Sequence, residues 1–264
     1  MRARTSMFAA VLLLVSWFGP DAEGGPAELT VVAVDPPAGG LAAPRTGAIS
    51  VTFDRPVDPT SLLHRQSFWA FGRWSGTVAG DFEVSPDGHT VRLVPRAPLS
   101  AGERVMVILS HDLRAPDGSF LRAGGYSFQY WTAARSADLQ FVEVDRFSTR
   151  TTAGQTSRAY GGIGSDVNGD GFLDVTIVNE DTQDLRVFLN QADGSGTFAP
   201  MVVPTAPVGA QASPSEPSDF DRDGNVDVAV ANPSDSTVSV LLGNGDGSFQ
   251  PQQVIPVGAT PRGI

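Results

Sequence analysis

The chain has 264 residues and a formal net charge of −11, from 29 acids against 18 bases, every base being Arg. That length holds one large or two modest domains, and a hydrophobic content of 41% supplies a sizeable core and excludes wholesale disorder. Without Lys the chain is a poor fit to phosphate backbones, and without Cys it has no disulfide, thiolate zinc site, iron–sulfur cluster or cysteine nucleophile.

Arg2 and Arg4 precede an apolar run over residues 7–18, which Gly19 and Pro20 break. A basic start, a short apolar run and a breaker predict a secretory signal peptide over residues 1–25. The run is shorter than the roughly 20 residues that a membrane-spanning helix needs. No other segment is long and apolar enough, so an exported chain without a membrane span after signal cleavage is expected: extracellular, cell-surface or periplasmic.

From residue 29 short apolar runs alternate with turn signals. Strands are predicted over residues 29–34, 48–53, 90–94, 104–109 and 126–131, separated by turns such as Asp35-Pro36-Pro37 and Pro86-Asp87-Gly88. Their spacing and period-two alternation argue for an antiparallel β-sandwich. The histidines, His64, His89 and His111, are expected in loops or at strand ends. His111 and Asp112 beside Ser110 do not make a catalytic triad, because adjacent strand residues face opposite ways. Trp69, Phe71 and Trp74 read as core and rim of the sandwich, with a sugar-stacking surface as the alternative.

Several turns agree with a known family as well as the strands do. Val34-Asp35-Pro36-Pro37-Ala38-Gly39, Ile49-Ser50-Val51-Thr52-Phe53-Asp54-Arg55-Pro56-Val57-Asp58, Pro86-Asp87-Gly88-His89-Thr90-Val91 and Leu99-Ser100-Ala101-Gly102 carry the likeness. Residues 29–133 resemble the bacterial Ig-like domains of S-layer (SbsA-type) proteins. The resemblance implies a spacer or adhesive module without catalytic residues of its own.

The second half is an internal repeat. Asp166-Val167-Asn168-Gly169-Asp170-Gly171-Phe172-Leu173-Asp174 recurs as Asp219-Phe220-Asp221-Arg222-Asp223-Gly224-Asn225-Val226-Asp227. Each copy runs into a β-branched stretch ending in Asn179 or Asn232, and three further blocks match in order. Oxygen donors at positions 1, 3, 5 and 9, with Gly at position 6 for the sharp turn, suit a hard cation such as Ca²⁺. An EF-hand is excluded: position 12, which needs Glu, is Ile177 or Val230, and strands rather than helices follow. The fourteen acids and three arginines after residue 160 account for the whole charge imbalance, so the acidity belongs to this half.

This pattern is similar to the FG-GAP/VCBS repeats of integrin-α-type β-propellers, over residues 138–264. The resemblance implies four-stranded blades with Ca²⁺ held in the loop between two strands. Two Ca²⁺ sites follow, one of Asp166, Asn168, Asp170 and Asp174, the other of Asp219, Asp221, Asp223 and Asp227. The backbone carbonyls of Phe172 and Asn225 are added at position 7. The expected fold is thus all-β, an Ig-like sandwich followed by an incomplete propeller of about two blades. Residues 256–264 begin a third copy, which implies the N-terminal part of a longer protein or a truncated gene product.

The expected function is an exported Ca²⁺-binding adhesion, interaction or structural module without catalysis. Its Ig-like spacer would present the propeller repeats to a protein or glycan ligand. The alternative is the non-catalytic front of a larger extracellular enzyme, a hydrolase, with a glycan-binding role. Only the repeats are expected to respond to Ca²⁺, the Ig-like part being indifferent to it.

Overall fold

The computed structural model describes residues 28–138, 140–212 and 215–264. The expected signal peptide lies outside these residues. The described residues are all-β, with four antiparallel four-stranded sheets and no closed barrel among them.

The first eight strands are β1 (Val31–Asp35), β2 (Ile49–Phe53), β3 (Phe68–Gly72), β4 (Gly76–Thr77), β5 (Gly80–Val84), β6 (Thr90–Pro95), β7 (Arg104–Leu109) and β8 (Tyr126–Trp131). They form two sheets, ordered β1-β2-β6-β5 and β4-β3-β7-β8. Alternation buries one face of each. Ile49, Val51, Phe53, Val91 and Leu93 of the first sheet share a core with Phe68, Ala70, Val105, Val107, Leu109 and Tyr130 of the second.

The five expected strands stand within two residues of their predicted bounds. The sequence reading missed β3, β4 and β5, where Gly72, Gly76 and Gly80 interrupt the apolar runs. Of the aromatic cluster, Phe71 is buried and Trp69 and Trp74 are half-buried. Phe68 and Ala70 face the sandwich core, so Trp69 and Phe71 lie on the outer face of the second sheet. His111 Nδ1 lies 2.6 Å from the Leu121 carbonyl and His64 stacks on Phe82 at 4.1 Å.

The repeats hold β9 (Ala159–Ser165), β10 (Asp174–Asn179), β11 (Asp184–Phe188), β12 (Ala206–Pro207), β13 (Ser215–Ser218), β14 (Asp227–Asn232), β15 (Thr237–Leu241) and β16 (Gln253–Pro256). Each set of four makes one antiparallel meander, two blades of a partial propeller. Asp174 faces Ser165 across β9 and β10, as Asp227 faces Ser218 across β13 and β14, so the register repeats with the sequence. Val178, Leu185, Val208, Val228, Val230 and Leu241 form the apolar core between the blades. A smaller cluster joins Phe71 of β3 to Val167, Val187 and Val226 of the repeats, so the outer face of the sandwich packs against them.

Asp54 ties the first two strands of the sandwich. Its Oδ1 accepts the Thr30 N–H at 2.9 Å and its Oδ2 pairs with the Arg55 guanidinium at 2.9 Å. Arg55 first, and the Thr30 N–H after it, hold the carboxyl down to about 2 from 3.8. A depressed carboxyl stabilises the fold above its unfolded value and loses that contribution as pH falls through about 2. Asp54→Asn should therefore cost about 1 kcal/mol at pH 7, after allowance for solvent screening, with the deficit gone near pH 2. Chemical denaturation of both chains across that range checks it.

Candidate metal centre

The two acidic loops span the turns from β9 to β10 and from β13 to β14. Their backbone runs left-handed at two places. Position 6 is Gly171 (φ +87°) or Gly224 (φ +99°), as its role in the sharp turn requires. Position 4 is also left-handed, Gly169 (φ +74°) in one loop and Arg222 (φ +66°) in the other.

The position 9 carboxylates hold the loops to the sheets. Asp174 and Asp227 are fully buried. Asp174 accepts the Asn190 N–H (2.8 Å) and the Val167 N–H (3.0 Å). Asp227 accepts the Gly243 N–H (2.8 Å) and the Phe220 N–H (2.6 Å). Each thereby joins loop position 2 to the chain leaving the third strand of its sheet. Burial outweighs these bonds and pushes both carboxyls up to about 6 from 3.8. A raised carboxyl favours the folded chain when protonated. That contribution is full below the unfolded value of 3.8 and is lost as pH rises through about 6.

The remaining loop acids differ between copies. In the second loop Asp219, Asp221 and Asp227 each bring a carboxylate oxygen within 4.8 Å of the others. Asp219 is 6% exposed, and its Oδ1 is buried with no hydrogen-bond partner. Burial is the main cause that holds its carboxyl above the ordinary value. Asp223 lies outside this group, its oxygens accepting the Asn225 N–H (2.8 Å) and side-chain amide (2.7 Å).

Among the described residues the first loop makes no such group. Asp166 uses both oxygens inside the loop, accepting the Asp170 N–H (3.1 Å) and the Gly171 N–H (2.8 Å). Asp170 accepts the Phe172 N–H (2.8 Å) and the Asn168 amide (2.9 Å). Asn168, the one neutral donor, is thus turned toward Asp170 as a partner. Phe172 and Asn225 enter these loops through their N–H groups.

Three clustered carboxylates with one orphaned buried oxygen fit a hard cation of high charge. Oxygen donors are what Ca²⁺ takes, and an unneutralised cluster repels itself. The sequence pattern pointed to these positions but not to their division of labour: position 9 is anchor as well as donor. It also gave no sign of Thr77, whose hydroxyl donates to Asp219 Oδ2 at 2.7 Å, because that contact spans 142 residues.

The two roles separate by mutation. Asp227→Ala orphans one buried and one part-buried N–H group and should cost about 3 kcal/mol of repeat stability with no cation present. Asp223→Ala, at an exposed position, should cost under about 1 kcal/mol under the same conditions. Denaturant titrations in chelator check both.

Comparison with family models places a bacterial Ig-like domain over residues 26–132 and FG-GAP-like repeats over residues 166–217 and 219–264. Each repeat match starts on the first Asp of a loop. The repeat is therefore offset from the sheet: the first span carries β10, β11 and β12 with most of β13, the opening strand of the next sheet. No curated protein matches the chain. Among solved structures, the S-layer protein rSbsC(31-844) is 15% identical at a TM-score of 0.32, over 88% of this chain and 26% of that one. The LD transpeptidase LdtMt1 is 16% identical at 0.29, over 83% and 78%. Alpha-2-macroglobulin from Escherichia coli, in domains MG0-NIE-MG1, is 12% identical at 0.32, over 88% and 72%. The chain thus spans about a quarter of the S-layer chain, and TM-scores of this size carry no argument about function. The family matches and the geometry agree: this chain carries a bacterial Ig-like domain followed by FG-GAP-like repeats.

Proposed function

We propose that the chain is an exported, Ca²⁺-binding interaction or structural module. The Ig-like domain serves as spacer, and the repeats carry the cation sites and present a surface to a protein or glycan. Catalysis has no part in this reading. The observation that carries it is the group of Asp219, Asp221 and Asp227 with the buried, unpartnered Asp219 Oδ1. The loop that holds it also recurs in the sequence at Asp166 to Asp174. The basic and apolar start of the sequence supports export. Among the described residues no helix is long and apolar enough to cross a membrane. The acid excess after residue 160 argues against nucleic acid as the partner.

In this reading Asp219, Asp221 and Asp227 hold the ion in the second loop, with Asp223 and the Asn225 carbonyl joining them when it binds. Asp166, Asn168, Asp170 and Asp174, with the Phe172 carbonyl, serve the first loop. The ion supplies charge neutralisation and crosslinks the loop.

Ligand that binds only the folded state stabilises it by about 2.7 kcal/mol at a hundred times Kd. Thermal unfolding of the full chain should therefore shift upward with millimolar CaCl₂ and return with chelator. Unfolding indifferent to millimolar Ca²⁺ sinks the cation reading.

A further inference from the structure

The second loop is reached by a hairpin of the Ig-like domain, made of β3, the turn at residues 73–75 and β4. Glu103, fully buried before β7, holds that turn. Its Oε2 accepts the N–H groups of Trp74 and Ser75 at 3.0 Å each, and its Oε1 accepts the Ser75 hydroxyl and the Ser100 N–H at 2.6 Å each. Gly76 lies at φ +72°, and a Cβ there would sit 2.9 Å from the Val226 side chain of the loop. A close approach and a left-handed backbone both call for glycine.

From this braced hairpin Thr77 Oγ1 donates to Asp219 Oδ2, which also accepts the Gly224 N–H at 3.2 Å. Both donors sit on one oxygen, and the other, Oδ1, is left buried and unpartnered. Neighbouring contacts seat the same loop and the strand leading into it. The Arg65 guanidinium donates to the Asp223 carbonyl, Arg222 lies over the Trp69 ring at 5.0 Å, and Arg73 pairs with Glu216 of β13. The first loop meets the hairpin through backbone, the Asp166 N–H donating to the Trp74 carbonyl at 2.9 Å.

We infer that Thr77 is a positioning residue for the second cation site, supplied by the Ig-like domain, so that cation binding there and docking of the two domains are one linked equilibrium. This rests on the Ca²⁺ reading above. A hydroxyl fixed on Oδ2 sets the rotation of the carboxylate and keeps Oδ1 for the ion, as outer partners of metal ligands do. When the domains part, Asp219 loses that donor. By reciprocity, an ion that binds better to the docked arrangement tightens docking by the same factor. The Ig-like domain is then coupled to Ca²⁺, where the sequence alone led one to expect indifference.

The test is calorimetric titration of CaCl₂ into the full chain carrying Asp170→Ala, which leaves the second loop as the site measured. Adding Thr77→Val should weaken binding about tenfold or more, and Thr77→Ser, which keeps the hydroxyl, should bind within about twofold of the Thr77 chain. Amide exchange in residues 72–77 should slow with Ca²⁺ in the Thr77 chain and not in Thr77→Val. Equal affinities for Thr77 and Thr77→Val overturn the inference while the cation reading stands. No binding even with Thr77 present brings down the cation reading, and this inference with it. If Thr77→Val does not fold, Arg73→Ala, which frees Glu216 away from the loop, takes its place. Weakened Ca²⁺ binding then supports the inference and unchanged binding overturns it.

Discussion

A carboxylate taken out of water must have its oxygens engaged or it destabilises the fold around it. Asp174 and Asp227 meet that condition with backbone N–H groups from two separate places each, the loop before their strand and the chain leaving the third strand of the sheet. That double grip fixes where the loop starts, where the second strand begins, and how the third strand closes over it. The register of both sheets follows: the residue opposite each buried Asp is a Ser, Ser165 or Ser218, in the same place on both first strands. The repeat is thus a repeat of one electrostatic constraint, with the hydrophobic strands attached to it.

That constraint also brings charge together. With position 9 fixed by the backbone, the acids at positions 1 and 5, and in the second copy also at position 3, crowd the mouth of the loop. Each copy relieves the crowding in its own way. In the first, Asn168 is a neutral residue whose amide can donate to Asp170, and Asp166 folds its oxygens onto loop N–H groups. In the second, Asp221 stands where Asn168 did, and the same solution is not open to it. Three carboxylates stay within 4.8 Å, and one buried oxygen has no donor. The residue at position 3, together with the Thr77 contact, thus separates a loop whose acids are bonded within it from one in which three carboxylates stay clustered. The closer packing of the second loop against the sandwich adds to this, since it removes water that would otherwise solvate Asp219.

Much of this was legible in the residues. The alternation in β2, β6, β7 and β8 marked the sandwich because those strands bury one face and leave the other half-exposed. The loops were legible because ligand spacing is a local property of the chain. What escaped depends on partners far away in sequence. Strand β3 has apolar residues on both faces, Phe68 and Ala70 toward the core and Trp69 and Phe71 toward the repeats, so period-two alternation gave no signal. The aromatic cluster therefore read as core and rim, with sugar stacking as the other choice; its outer face is occupied by the repeats. The unequal loops were equally out of reach, since the difference rests on Thr77 and on side-chain choices inside an otherwise shared motif.

The charge distribution gains a structural meaning from these contacts. The sandwich carries half of the 18 arginines and the repeats carry the acid excess, and the contacts between them follow that division. Arg65 and Arg73 come from the sandwich and meet a loop carbonyl and Glu216 on the other side. Such exposed or half-exposed pairs add little stability one by one. Their geometry matters more, because one meets the loop that holds the unpartnered Asp219 Oδ1 and the other the strand leading into it, and together they set how the sandwich faces it. Arg222 reverses the pattern: a cation inside the acidic loop reaches out to Trp69 on the sandwich. A loop that spends its only positive charge on the neighbouring domain has no cation of its own to offset Asp219, Asp221 and Asp227, and their close approach is left as like-charge repulsion within the loop.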